Sequence, residues 1–173
     1  MIERVETERL VLRPINQDDV DLLVELDSDP DVMRFITGGK PSSRERVTER
    51  IQQSLGHRWV AFERSTGDFI GWFGLEPTAD GERELGYRLR KTAWGQGYAT
   101  EGSAVLIALA FDELAAHRVW AQTMTVNTRS RAVMERCGLR FVRTFHGEWE
   151  PKFEGSELDD VEYEITRVEW EAR

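Results

Sequence analysis

The run from Glu84 to Gly102, ELGYRLRKTAWGQGYATEG, constrains the fold more than any other part of the chain. Glu84 to Leu89 is β-rich and reads as a strand, the segment through Gly95 and Gly97 as a short glycine-bearing turn, and the residues after Gly97 as the first turn of a helix. Ile107, Ala110, Phe111 and Leu114 continue that helix at a spacing that puts them on one face, toward a core. A strand that runs through glycines into a helix exposes several backbone N–H groups at the positive end of the helix dipole. That is a seat for a phosphate or pyrophosphate.

The rest of the chain bounds what can use such a seat. Its 173 residues suit one domain, 1–173, and are few for two. Against 23 basic residues stand 32 acidic ones, a formal charge of -9. This argues against a nucleic-acid or membrane-surface partner and is compatible with a cationic substrate. A single cysteine, Cys137, excludes an internal disulfide and a multi-cysteine zinc site. Met1 to Leu12 holds no long apolar run, and no segment approaches the roughly 18 to 20 apolar residues of a spanning helix. A cytoplasmic protein is the default expectation.

Thr7 to Ile15 reads as an opening strand, and Asp18 or Asp19 as the cap of a helix that buries Val20, Leu23 and Val24. Ile36 to Ser43 is a loop, with Ser42 or Ser43 capping a polar helix to about Leu55. Strands come next at Arg58 to Glu63 and Phe69 to Leu75, joined by a turn at Ser65-Thr66-Gly67-Asp68, with another turn at Ala79-Asp80-Gly81. After the long helix come a strand, Val119 to Val126, and a helix, Asn127 to Cys137, closed by Gly138. Strands at Leu139 to Phe145 and Val161 to Val168 complete a mixed α/β sheet of about seven strands. Trp72, Trp120 and Trp149 lie in strand-like segments and are expected in the core.

Three phosphate chemistries compete for the glycine turn. A P-loop fails, because Gly39-Lys40 is followed by Pro41 and Arg34 stands where the first glycine belongs. A dinucleotide fingerprint has Gly95 and Gly97 but Thr100 in third place, and lacks the acidic residue at the next strand end. The third is coenzyme A. Thr7-Glu8-Arg9-Leu10-Val11-Leu12-Arg13, Gly71-Trp72-Phe73-Gly74, Glu84-Leu85-Gly86-Tyr87, Trp94 to Glu101, Asn127 through Ser130 to Gly138-Leu139, and Glu169-Trp170 together resemble the GNAT acetyltransferase superfamily, in its RimJ/RimL-type branch. The resemblance covers nearly the whole chain.

It implies an α/β (α+β) fold, with a mostly antiparallel sheet flanked by about four helices and a splayed central strand pair. It implies acetyl-CoA as co-substrate, no metal, and a primary amine as acceptor, either a protein N-terminus or a small molecule, cationic ones included. The family's pyrophosphate motif falls on Trp94, Gly97 and Ala99, with Trp94 replacing the usual Gln or Arg. Because that motif works through backbone N–H groups, the implied seat spans Trp94, Gly95, Gln96, Gly97, Tyr98, Ala99 and Thr100. Tyr87, Arg88 and Leu89 take the place of the strand that pairs with the pantetheine arm, and Asn127 that of the asparagine beside the coenzyme.

Acetyl transfer to an amine requires a base for the amine, stabilisation of the oxyanion, and a proton for the departing thiolate. An acetyl thioester is already activated, so direct attack needs no enzyme nucleophile. Glu84 is the candidate base, acting directly or through water; alternation puts it on one strand face with Gly86 and Arg88. The plainer alternative is a solvated charge at a strand start. The family's usual tyrosine acid falls on Met134, so Ser130, in the Asn-x-x-Ser pattern of the branch, is the candidate acid or thiol-orienting group. Asn127 or Ser130 would serve equally well as a helix cap. Cys137 reads as a packed residue, and His57, His117 and His146 show no metal-ligand spacing. Phe35, Ile36 and the Gly38-Gly39 loop are candidates for the acceptor wall. A non-catalytic acyl-CoA-binding module on the same scaffold is the alternative function, and either a monomer or a homodimer is compatible.

Overall fold

The chain opens with two short strands where alternation suggested one. In the computed structural model, which describes residues 4–79, 81–148, 152–153 and 155–173, β1 (Val5–Glu6) and β2 (Leu10–Pro14) are antiparallel neighbours. Thr7 makes the turn between them. Its N–H donates to the Leu10 carbonyl at 2.9 Å, and its hydroxyl accepts from the Leu10 N–H at 2.9 Å. The next cap is Asn16 rather than Asp18 or Asp19. Its side chain accepts from the Asp18 N–H and the Asp19 carboxylate accepts from the Asn16 N–H, so a 3-10 turn leads into α1 (Val20–Leu26). Val20 and Leu23 are buried there, Val24 only partly.

α2 (Arg34–Thr37) is one turn ended by left-handed Gly38, and α3 (Arg44–Gln53) is capped by Ser43, as the loop composition suggested. β3 (Arg58–Glu63), β4 (Phe69–Pro77) and β5 (Glu82–Leu89) run antiparallel in succession. Asp80, in the expected turn before β5, and Trp149 lie outside the described residues. α4 (Tyr98–Asp112) leads to β6 (Arg118–Met124), then come α5 (Thr128–Arg136), β7 (Arg140–Phe145) and β8 (Asp160–Thr166). The last strand stops short of Val168 because Thr166 caps a further helix, α6 (Arg167–Glu171). The Glu169 carboxylate accepts from the Thr166 N–H at 2.8 Å, and Val168 is left 77% exposed.

The described residues thus form eight strands and six α-helices, against the expected seven and four. The strands make one sheet in the order β1-β2-β3-β4-β5-β6-β8-β7, antiparallel except at β5–β6. One face packs on α4 and α5 through residues such as Leu106, Ile107, Phe111 and Met134. The other packs on α1 and α3 through Leu23, Leu26, Val47 and Ile51. Trp72 and Trp120 are half-buried rather than core; the core tryptophan is Trp59, 3% exposed.

α4 lies so close to β4 that a Cβ on Gly102 would fall 2.3 Å from the ring of Phe73, itself 0% exposed. Alanine in place of a mid-helix glycine ordinarily stabilises by about 1 kcal/mol. Here the ring has no solvent to move into, and overpacking of this kind costs about 1–3 kcal/mol. Gly102→Ala is therefore expected to lower the denaturant midpoint in equilibrium unfolding, and a raised midpoint would refute the tight packing.

Candidate active site

β5 and β6 are paired only at Glu82↔Arg118, Arg83↔Val119 and Glu84↔Trp120. Beyond Glu84 the strands part. Residues 85–89 continue to pair with β4, and residues 121–124 with β8. Two strand edges consequently face each other across an open wedge, each presenting backbone donors and acceptors. An extended, amide-bearing chain can hydrogen-bond to such edges as an added strand would. The implied splayed pair is present, and Glu84 stands at its apex.

The glycine turn closes the wide end of the wedge. After β5 comes a 3-10 turn, Lys91–Ala93, then Trp94 in an extended conformation. Gly95 and Gly97 take φ of 73° and 84°. A Cβ on Gly95 would meet nothing within 4 Å, so the left-handed backbone, not lack of space, calls for glycine there. Gly97 is the N-cap of α4 and no side chain caps it. The first N–H groups of a helix 15 residues long are left open to a ligand.

Side chains brace this seat. Arg9 Nη1 donates to the Gln96 carbonyl at 2.8 Å, Arg9 pairs with Glu101 at 2.7 Å, and its guanidinium lies 4.5 Å from the centre of the Tyr98 ring. Gln96 Nε2 donates to the Thr92 carbonyl at 2.8 Å. Trp94, the departure from the family's motif, has its own place: Nε1 donates to the Leu89 carbonyl at 3.0 Å, and the Arg129 guanidinium sits 5.2 Å from its ring. Arg129, a cation on the first turn of α5 beside the turn, was not picked out from the sequence, where nothing marks it off from its arginine-rich neighbours.

The chemistry-bearing candidates divide by strand face. Leu85, Tyr87 and Leu89 point toward α4 and its core. Glu84, Gly86 and Arg88 point the other way, and Arg88 Nη1 donates to Asp27 at 2.5 Å. Glu84 is half-buried; its Oε1 accepts from Gln122 Nε2 at 3.0 Å. Burial pushes its carboxyl above the ordinary range, with the Gln122 hydrogen bond opposing.

Ser130 has a partner the sequence did not disclose. The Tyr87 hydroxyl lies 2.8 Å from Ser130 Oγ and donates to the Ser130 carbonyl at 3.3 Å. Burial pushes this phenol up to about 12, so it keeps its proton at neutral pH. Tyrosine was missing only from the expected place: Met134 is buried in the core, while β5 supplies a phenol from the opposite side. Asn127 accepts from the Ser130 N–H at 3.4 Å as the cap of α5, and its Nδ2 donates to Thr123 Oγ1 at 3.0 Å.

Cys137 is buried, its thiol pushed up to about 11 by burial, and Sγ donates to the Thr100 carbonyl at 3.6 Å. That is a packed thiol rather than a reactive one. Among the described residues no group of three or more His, Cys, Asp or Glu could hold a metal ion, and no helix is long and apolar enough to cross a membrane. Near the expected acceptor wall, a Cβ on Gly38 would fall 2.7 Å from Phe153 Cβ, so Phe153 packs onto the α2 turn.

Comparison with known proteins agrees with this geometry. The family model described as an acetyltransferase (GNAT) domain matches residues 9–140. The FsC-acetyl coenzyme A-N(2)-transacetylase of Aspergillus fumigatus is 34% identical over 96% of this chain and 77% of its own length. A GNAT-family acetyltransferase from Bacillus anthracis superposes with a TM-score of 0.83 at 24% identity, covering 95% of this chain and 99% of that one. RimL, an alpha-N-protein acetyltransferase solved with coenzyme A, gives 0.81 at 16% identity, with 95% and 98% covered. At those identities the two structures establish a shared fold. With the family match across most of the chain and the splayed strands leading into an uncapped helix, this protein is an acyltransferase of the GNAT acetyltransferase family.

Proposed function

We propose that this chain, acting as one domain, transfers an acetyl group from acetyl-CoA directly to a primary amine, in the manner of the RimJ/RimL branch. The observation that carries this reading is the convergence of the β5–β6 wedge and the uncapped N-terminus of α4. Residues 87–89 would hold the pantetheine amides through backbone bonds, and the N–H groups from Gly95 to Thr100 the pyrophosphate, with Arg129 adding charge nearby. When bound, acetyl-CoA supplies the activated thioester.

Glu84 takes the proton that the amine must lose, directly or through one water. Its raised pKa makes it a stronger base than an exposed carboxylate. Ser130 gives a proton to the departing sulfur and regains one from solvent, and the neutral Tyr87 phenol beside it holds the serine hydroxyl in place. Gln122 orients the Glu84 carboxylate. The acceptor amine of the Aspergillus relative is an N(2) nitrogen by its name, and that of RimL a protein α-amine. Both names support an amine acceptor.

Two measurements test the assignment. Glu84→Gln is expected to lower kcat by about 10²–10⁴-fold and to abolish the acidic limb of the pH–rate profile, which in the unaltered enzyme lies above the usual carboxylate range. The folded protein binds the Glu84 proton more tightly than the unfolded chain does. Its contribution to stability is therefore full at low pH and is lost as pH rises through the raised pKa. The same variant should accordingly melt at a higher temperature near pH 7; a less stable and fully active variant would remove Glu84 from the mechanism.

The second is a pair, Tyr87→Phe and Ser130→Ala, in steady-state kinetics with an amine panel. The cap of α5 belongs to Asn127, so neither change should alter the melting temperature much. Each is expected to reduce kcat at least about 10-fold with little change in the KM for acetyl-CoA. Unchanged kcat in both would leave Ser130 a structural residue. Coenzyme binding with no turnover of any amine would support the non-catalytic module instead.

A further inference from the structure

On the sheet face opposite α4, register aligns three rows of residues across β3, β4 and β5. They are Arg58↔Gly74↔Gly86, Val60↔Trp72↔Arg88, and the pair Glu76↔Glu84. The two glycines leave the middle row without side chains on β4 and β5. Arg58 and Trp72 take up the space these glycines leave: a Cβ on Gly74 would lie 3.7 Å from Arg58 Nε, and one on Gly86 3.6 Å from the Trp72 ring. The Arg58 guanidinium stacks 4.0 Å from the Trp72 ring centre, and Arg88 approaches the same ring at 5.4 Å.

Three carboxylates share this face, and Glu76, in the row of Glu84, acts on Arg58 through its charge without reaching ion-pair distance. Asp27, 1% exposed at the end of α1, gives one oxygen to Arg88 at 2.5 Å and the other to Arg50. Glu84 is turned to Gln122. No carboxylate comes within ion-pair distance of Arg58 among the described residues, and the buried Nε atoms of Arg58 and Arg88 have no acceptor there. Burial, with the like charges of Arg88 and Arg50, brings the Arg58 guanidinium down to about 10, although the carboxylates of Glu76 and Asp27 oppose the shift. A stacked, unpaired guanidinium with a buried unsatisfied donor is costly, and an incoming anion would relieve it.

We propose that this cluster is the recognition site for a carboxylate on the acceptor, so that the substrate is of amino-acid type: an amine joined through a short chain to a carboxylate that Arg58 binds against Trp72. This rests on the acetyl-transfer reading above. Arg58 shares its row with Gly86, two residues along β5 from Glu84, or about 7 Å of strand, and β3 itself lies two strands across from β5. A molecule lying across these rows, with its carboxylate at Arg58, puts its amine at Glu84.

The test uses 6-aminohexanoate and hexylamine, which differ only in the carboxylate, on the intact protein loaded with CoA for calorimetry and with acetyl-CoA for turnover. The expected result is binding and acetylation of 6-aminohexanoate with at least about a 10-fold preference over hexylamine. Arg58→Met should erase that preference while leaving CoA affinity, which reports an intact fold, unchanged. Arg58→Lys should restore part of it. Equal handling of the two amines, a preference for hexylamine, failure of 6-aminohexanoate to bind at millimolar concentration, or equal loss for both probes in Arg58→Met would overturn the proposal. Absence of CoA binding and of acetylation of any amine would instead overturn the acetyl-transfer reading, a separable outcome.

Discussion

β5 touches β6 for three residues and then leaves it, and the working parts of this protein depend on that departure. The pair is parallel, so the chain needs a crossover between them, which α4 supplies. α4 must begin where β5 ends, and its uncapped N-terminus therefore lies at the open end of the gap that the parting strands create. A continuous sheet would satisfy those edges internally and leave nothing for a ligand to pair with.

β5 also separates two environments by simple alternation. Its odd-numbered residues, Leu85, Tyr87 and Leu89, join the apolar layer under α4. Of its even-numbered residues, Glu84 turns to Gln122 on β6 and Arg88 enters a polar cluster under α1 and α3. Burial alone would push the Asp27 carboxyl up, but Arg88 and Arg50 more than offset it and hold the group below its ordinary value. Such an arrangement stabilises only as a set: with one partner removed, a buried charge remains uncompensated. It anchors Arg88 and leaves Arg58 without a counter-ion.

Most of the elements could be read from local pattern. The Ser43 cap, the turn from Ser65 to Asp68, the helix behind Gly97 and the terminating Gly138 depend on residues within a few positions of each other. The errors have local causes of a subtler kind. Thr7 turns back on Leu10 inside an alternating run, and Asn16 rather than the adjacent aspartates takes the cap. Thr166 with Glu169 forms a capping box that was there to be seen, yet the β-branched run before it suggested more strand. Trp72 and Trp120 were placed in the core by residue type, but they lie on sheet faces only partly covered by helices.

The sequence by itself determined the glycine turn that opens α4 and the family, because left-handed glycines, a helix start and strand alternation are short-range properties written within about twenty residues. Only the tertiary structure decided the partners. Tyr87 meets Ser130 across 43 positions, and Arg88 meets Asp27 across 61. The gap between β5 and β6 belongs to neither strand alone. Such contacts are chosen by how the sheet is ordered and how its faces are covered, and no periodicity within one segment encodes which distant side chain will lie opposite.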